Sequence, residues 1–199
     1  MPVPDLVLAS ASPRRRELLA QLGVDFSCDA AEIDETPMVG ELPRTYVQRV
    51  ARDKAEKVAQ RFSPGECLVL AADTTVVIDG RVLGKPDDLS DGMAMLQRLS
   101  GRSHTVFTAV CLSNGLEERC EVVATEVSFA ELSPQTCAAY LATGEPWDKA
   151  GAYAIQGLGG ALVSGIRGSY SNVVGLPLNE TWQMLREFGV PTALERSGE

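Results

Sequence analysis

The sequence predicts an α/β protein built on a mixed sheet. Three observations carry that prediction. Short apolar runs such as "DLVLAS" and "CLVLAA" alternate with stretches of helical spacing. Two hairpin signals, Asp79-Gly80 and Asn114-Gly115, join neighbouring strands and argue against a purely parallel sheet. The length, 199 residues with 45% hydrophobic, is enough for a sizeable core in one domain.

Taken in order, "DLVLAS" reads as a short buried strand. Ser12 then offers an N-cap, Pro13 fits the first helical position, Leu18, Leu19 and Leu22 supply an apolar face, and Gly23 supplies the stop. "GVDFSCDA" is expected to be a second strand, closed by the polar loop "IDETP". A long helix is expected from about Pro43 to Phe62, with Val47, Val50, Ala51, Ala55, Val58, Ala59 and Phe62 on one stripe. "CLVLAADTTVVIDGRVL" reads as two strand segments followed by the Asp79-Gly80 turn, and Ser90 to Gly101 as a capped helix. "SHTVFTAVCLSNGLEERCEVVATEVSFAEL" reads as a long antiparallel hairpin turning at Asn114-Gly115. Ser133-Pro134 opens a helix that ends at Gly144, and a Gly-rich stretch, 157 to 168, precedes a final helix starting near Pro177 with Trp182, Leu185 and Phe188.

Composition excludes several functions. The formal net charge is −9, a poor basis for non-specific nucleic-acid binding, which rests on many phosphate contacts. No apolar run approaches the ~20 residues that cross a bilayer. The start, "MPVPDLVLAS", lacks a signal peptide's basic and long apolar regions, so a cytoplasmic protein without a membrane partner is expected. The five cysteines, Cys28, Cys67, Cys111, Cys120 and Cys137, are odd in number and form no CxxC pair, so reduced and mostly buried thiols are expected rather than a disulfide framework. His104 is the one histidine, which excludes a histidine-rich metal site; a structural role is expected for it over catalysis.

Some residues look out of place. Lys54 falls inside the apolar stripe of its helix, four after Val50 and four before Val58, while Arg49, Arg52, Asp53, Glu56 and Lys57 fall on the other side. An ammonium there either snorkels to the rim or is held by a buried partner. Arg14, Arg15 and Arg16 crowd a helix start, where positive charge is disfavoured unless an anion binds. The free N–H groups of that helix and the hydroxyls of Ser10 and Ser12 suit a phosphate. Arg15 points toward the covered face and Arg16 toward solvent. Asp73 ends the apolar run "CLVLAA"; it is either a turn cap with Thr74 or a ligand-handling carboxylate at a strand end. Glu35 and Lys85 are loop charges. "GLGG" does not match a dinucleotide fingerprint, and Walker A and GxSxG motifs are absent. What remains are cations for phosphates and carboxylates for a divalent ion, the elements of metal-assisted phosphoryl chemistry.

Six stretches in register, "LASASPRRRELL", "IDETP", "YVQRVARDKAEKV", "AADTTVVIDGRVLGKP", "LSGRSHTVFTAV" and "EPWDKAGAYAIQGLGG…GSYSNVVGLPL", resemble the Maf proteins, nucleoside triphosphate pyrophosphatases, over residues 6 to 188. The resemblance implies an elongated, twisted mixed sheet flanked by helices, in two lobes with a central cleft, similar to the house-cleaning inosine triphosphatases. It implies a single two-lobed domain with a frayed tail from about residue 190. It implies hydrolysis of a triphosphate to monophosphate and diphosphate with Mg²⁺ or Mn²⁺, Asp73 serving as general base and Glu35 with Asp73 as metal ligands. Ser10, Arg14, Arg15, Lys54 and Lys85 match the phosphate-binding positions. Arg14, Thr74 and Gln156 match the branch specific for dTTP and UTP; the 7-methylguanosine triphosphate branch carries Trp, Gln and Glu there. An amide with both donor and acceptor suits the N3–H and carbonyls of uracil and thymine. A homodimer is also implied. The alternative is a nucleotide-sensing regulator of septum formation whose hydrolysis is incidental.

Overall fold

A computed structural model describes residues 5–195. In chain order the elements are β1 (Asp5–Leu8), α1 (Pro13–Gln21), β2 (Ser27–Cys28), α2 (Pro43–Ala59), β3 (Cys67–Ile78), β4 (Arg81–Leu83), α3 (Leu89–Leu99), β5 (Ser103–Ser113), β6 (Glu118–Phe129), α4 (Pro134–Ala142), β7 (Val163–Arg167), α5 (Tyr170–Val174) and α6 (Leu178–Glu187). The strand order is β2-β1-β3-β5-β6-β7, with β4 paired to β3. β1 runs parallel to β2 and β3, whereas β4 is antiparallel to β3 and β7 to β6, so the sheet is mixed as expected.

The chain forms two compact units. The first takes residues 5–73, 108–123 and 175–195 of the described chain; the second takes 74–107 and 124–174. In the first, β1 buries Leu6, Val7 and Leu8, α1 buries Leu18 and Leu19, and α2 buries Val47, Val50, Ala51, Ala55 and Val58. Ser12 caps α1 by accepting from Arg15 N–H, and Pro13 opens it. The α2 stripe is shorter than expected: the helix stops at Ala59, and Ala59 and Phe62 are half-buried. The expected strand Gly23–Ala30 shrinks to Ser27 and Cys28, both exposed, because no second apolar face there rewards a longer pairing.

The second unit closes around Val76, Ile78, Leu96, Leu99, Val127, Phe129, Tyr140, Leu141 and Tyr153. Asp79 and Gly80, at φ of 52° and 72°, make the predicted hairpin, a turn that needs both residues left-handed. α3 starts one residue before the expected Ser90, because Asp88 takes the cap and accepts from Asp91 N–H at 2.8 Å. α4 follows Ser133 as predicted, the Ser133 hydroxyl accepting from Thr136 N–H. β7 and α5 had no expectation behind them; they lie around a Gly-rich stretch whose side chains give no clear period.

Three further expectations are corrected. β3 is one continuous strand through Asp73, not two segments, because residues on both sides of the carboxylate stay buried and paired. Cys111 and Cys120 are disulfide-bonded, not reduced. The hairpin register that joins Asn114 N–H to Glu117 O sets residues 111 and 120 opposite each other, Cα atoms 4.2 Å apart, a juxtaposition that cysteine spacing alone does not reveal. Cys28, Cys67 and Cys137 are free. Finally, the frayed tail expected from about residue 190 fails for residues 190–195. Val190 and Thr192 are buried, Ala193 N–H donates to Leu22 O at 2.8 Å, and Trp182 Nε1 donates to Glu195 at 2.6 Å. Residues 196–199 lie outside the described part.

His104 is structural, as the sequence reading held. It is 3% exposed, its Nε2 lies 2.8 Å from Tyr153 Oη, and Phe129 and Tyr153 meet its ring edge-on. Burial pushes its pKa down to about 4. Protonation would also give Nδ1 a hydrogen with no acceptor among the described residues. The unfolded chain binds this proton near the ordinary histidine value and the folded chain does not, so stability falls as pH drops from about 6.5 toward 4. The loss is on the order of 3 kcal/mol. Urea unfolding at about pH 7 and about pH 4.5 should show His104→Gln losing less stability than the parent chain by that order; equal losses would remove His104 from the acid response.

Candidate functional site

The first unit gathers five charged side chains from four elements. Lys54 sits in the buried stripe of α2, and its chain carries it to two carboxylates rather than to the rim. Its Nζ is 2.9 Å from Asp73 Oδ1 and 2.7 Å from Glu35 Oε1. Asp73 comes from β3 and is 7% exposed; Glu35 comes from the loop before α2, with half its side chain in solvent. The buried-partner alternative for Lys54 therefore holds, and the turn-cap alternative for Asp73 does not, since β3 runs on through it.

Arg15 completes the cluster from the first turn of α1. Its Nε donates to Gly175 O at 2.8 Å and its Nη1 to Ser10 Oγ at 3.3 Å. Ser10 Oγ also accepts from Ser12 N–H at 3.2 Å, so one buried hydroxyl ties the guanidinium to the loop ahead of the helix. Burial lowers the Arg15 pKa from its usual value; Asp73 opposes that, and the neighbouring Arg14 adds to it. For Asp73, burial wins: its carboxyl lies above the ordinary aspartate value although Lys54 and Arg15 both pull it down, and Glu35 pushes it further up. Three cations, Arg14, Arg15 and Lys54, thus stand against two carboxylates in a protein that is strongly acidic overall.

The loop that carries Glu35 is fixed by two residues outside the expected site set. Tyr46 Oη donates to Glu35 O at 3.0 Å, and Arg49 Nη2 donates to Thr36 O at 3.1 Å. Arg49 also forks onto Glu41, Nε to Oε1 at 2.7 Å and Nη2 to Oε2 at 2.9 Å. That fork holds the Glu41 carboxyl down to about 2, and burial with the nearby Asp73 and Glu35 charges pushes Tyr46 up to about 12. Arg49 was placed correctly off the apolar stripe, but no spacing rule names Glu41 as its partner.

The other expected site residues belong to the second unit. Thr74 follows Asp73 on β3 and is half-buried; Lys85, between β4 and α3, and Gln156, ahead of a 3-10 turn at Leu158–Leu162, are exposed. So the structure brings Ser10, Arg15, Glu35, Lys54 and Asp73 together, with Arg14 beside Arg15, and sets Thr74, Lys85 and Gln156 on a different unit.

Among the described residues no group of three or more His, Cys, Asp or Glu side chains converges as a metal centre, and no helix is long and apolar enough to cross a membrane. The Glu35 and Asp73 oxygens do converge on one point, which the Lys54 ammonium fills. Two hard carboxylate donors on one point suit a divalent ion that completes its shell with water and phosphate oxygens.

A family model described as Maf-like protein matches residues 5–188. A protein of Myxococcus xanthus (strain DK1622) named dTTP/UTP pyrophosphatase is 58% identical over 186 residues, covering 94% of this chain and 93% of that protein. Another of that name, from Anaeromyxobacter dehalogenans (strain 2CP-1 / ATCC BAA-258), is 57% identical over 197 residues, covering 97% and 98%. Among solved structures, a HAM1 protein from Coxiella burnetii aligns with a TM-score of 0.50 at 18% identity, covering 92% of this chain and 99% of that one, a likeness of fold. The Lys54–Asp73–Glu35 cluster thus sits in a chain that matches one family model from β1 to beyond α6 and is more than half identical to relatives along nearly their full lengths; the chain belongs to the Maf family.

Proposed function

We propose that this protein hydrolyses dTTP and UTP to the nucleoside monophosphate and diphosphate, in the cytoplasm and as a homodimer. The single observation behind the chemistry is the buried carboxylate of Asp73 held 2.9 Å from Lys54, with Glu35 and Arg15 around it. The names of close relatives support the substrate. In this reading Arg14, Arg15, Lys54 and Lys85 take the triphosphate oxygens, aided by Ser10 and the free N–H groups at the start of α1. Arg15 is already oriented by Ser10 and Gly175, so little freedom is lost when a phosphate arrives. Asp73 accepts the proton of the water that attacks the α-phosphorus. A carboxylate lifted above its ordinary basicity by burial is better suited to that task than an exposed one. Glu35 and Asp73 would hold Mg²⁺ or Mn²⁺, which supplies charge neutralisation of the polyphosphate and a more acidic water. Gln156, with Arg14 and Thr74, reads the pyrimidine through paired donor and acceptor contacts.

The test is a nucleotide panel. With Mg²⁺ or Mn²⁺ present, dTTP and UTP should each give pyrophosphate, and oxygen-labelled water should deliver its label to the nucleoside monophosphate. Release of orthophosphate instead would place the attack elsewhere and overturn the mechanism. Preference for 7-methylguanosine triphosphate would overturn the assigned specificity.

A further inference from the structure

The segment around Gln156 is clamped at both ends by two side chains that have no part in the chemistry above. Tyr140, in α4, is 3% exposed, and its hydroxyl accepts from Ala154 N–H at 3.0 Å. The same hydroxyl donates to Glu145 Oε1 at 2.7 Å. Glu145 in turn accepts from Leu158 N–H at 2.9 Å through Oε2 and from Gly159 N–H at 3.0 Å through Oε1. One phenol holds the residue two places before Gln156, one carboxylate holds the residues two and three places after it, and the two holders are bonded to each other. Gln156 stands exposed between them.

The glycines fit this arrangement. A side chain at Gly157 would run into the Glu145 carboxylate, and one at Gly159 into the Tyr140 hydroxyl and Ala154 O. The backbone therefore closes round the carboxylate as a small anion-binding nest whose anion is the protein's own. Burial raises the Glu145 carboxyl, but donation by Tyr140, Gly159 and Leu158 outweighs it and keeps the group below the usual glutamate value, so it stays ionised and acceptor-only at neutral pH.

We propose that Tyr140 and Glu145 are positioning residues that fix the Ala154–Gly159 backbone and thereby aim the Gln156 amide at the nucleobase. This rests on the reading of Gln156 as the base contact. An amide reads a base by presenting one donor and one acceptor at a set angle; a loop free to turn presents both to anything. The clamp thus sets selectivity between pyrimidine and purine triphosphates without touching either.

Two variants test it. Tyr140→Phe keeps the ring and removes the hydroxyl. Glu145→Gln keeps the shape and places an NH₂ against an N–H that needs an acceptor. Each is expected to raise KM for dTTP and to narrow the kcat/KM preference for dTTP over GTP, both by about tenfold, with kcat for dTTP held within about twofold. In a Gln156→Ala background the same substitutions should no longer change the preference. A folded Tyr140→Phe protein that loses kcat equally for every nucleotide at unchanged KM would reduce the clamp to a structural support and overturn the proposal. So would an undiminished effect of Glu145→Gln on the preference in the Gln156→Ala background. If Gln156→Ala alone leaves the preference intact, the base-contact reading fails and the clamp's role fails with it. If Gln156→Ala abolishes the preference and neither clamp variant moves it, only the clamp fails.

Discussion

Asp73→Asn is expected to lower kcat for dTTP hydrolysis by about 10²–10⁴-fold while the protein stays folded. The amide has the volume of the carboxylate, so β3 and its buried neighbours are undisturbed in shape. What disappears is the proposed acceptor for the water proton and one of the two acidic partners of Lys54, 2.9 Å away. The loss should fall mainly on turnover, because the phosphates in this mechanism rest on Arg14, Arg15, Lys54 and Lys85. Steady-state pyrophosphate release at saturating dTTP measures it. Wild-type turnover from the folded variant would remove Asp73 from its role. A variant that is inactive yet keeps every cellular effect on septum formation would favour the nucleotide-sensing alternative.

Lys54→Met should produce the largest loss of stability of any single substitution at the site. Methionine keeps the apolar stem in the α2 stripe but leaves Asp73 buried without its ammonium. Removing one partner of a buried pair costs about 3–5 kcal/mol. The sign of its pH dependence follows from Asp73. Lys54 pulls that carboxyl down against burial, so without it burial raises the carboxyl further. A carboxyl raised in the folded state favours folding at low pH and loses that benefit as pH rises through its folded value. The deficit of Lys54→Met relative to the parent should therefore be largest at about pH 8 and shrink toward about pH 5, as urea unfolding would measure. The acid limb of any residual activity should move to higher pH for the same reason. A deficit independent of pH would mean that the loss is one of packing.

Lys54 could be found from sequence because helix periodicity is a local rule. Six apolar residues of α2 fix which face is covered, and a charged side chain on that face stands out without knowledge of its partner. Arg15 was located on the same ground, by its distance from Leu18 and Leu19. The partners were not legible. Gly175, whose carbonyl holds Arg15, is 160 residues away in the chain, and no periodicity connects them. Asp73 was noticed as the end of an apolar run, yet β3 continues past it, because a strand buried on both faces loses the alternation that marks its limits. Arg49 and Glu41 look like ordinary surface charges in one dimension and are a forked pair supporting Glu35 in three. The disulfide between Cys111 and Cys120 depends on a hairpin register that follows from the turn at Asn114-Gly115, not from the cysteines themselves.

The discontinuous path of the chain has a consequence for its biosynthesis. All of the second unit, 74–107 and 124–174, leaves the ribosome before the last piece of the first, which begins at Gly175. During translation, then, Arg15 waits without its carbonyl anchor, and Leu22 without the Ala193 amide that binds it, until the final stretch is made. A nascent chain stalled before residue 175 holds every residue of the second unit but lacks the carbonyl that anchors Arg15, so the first unit is completed only when synthesis is nearly over.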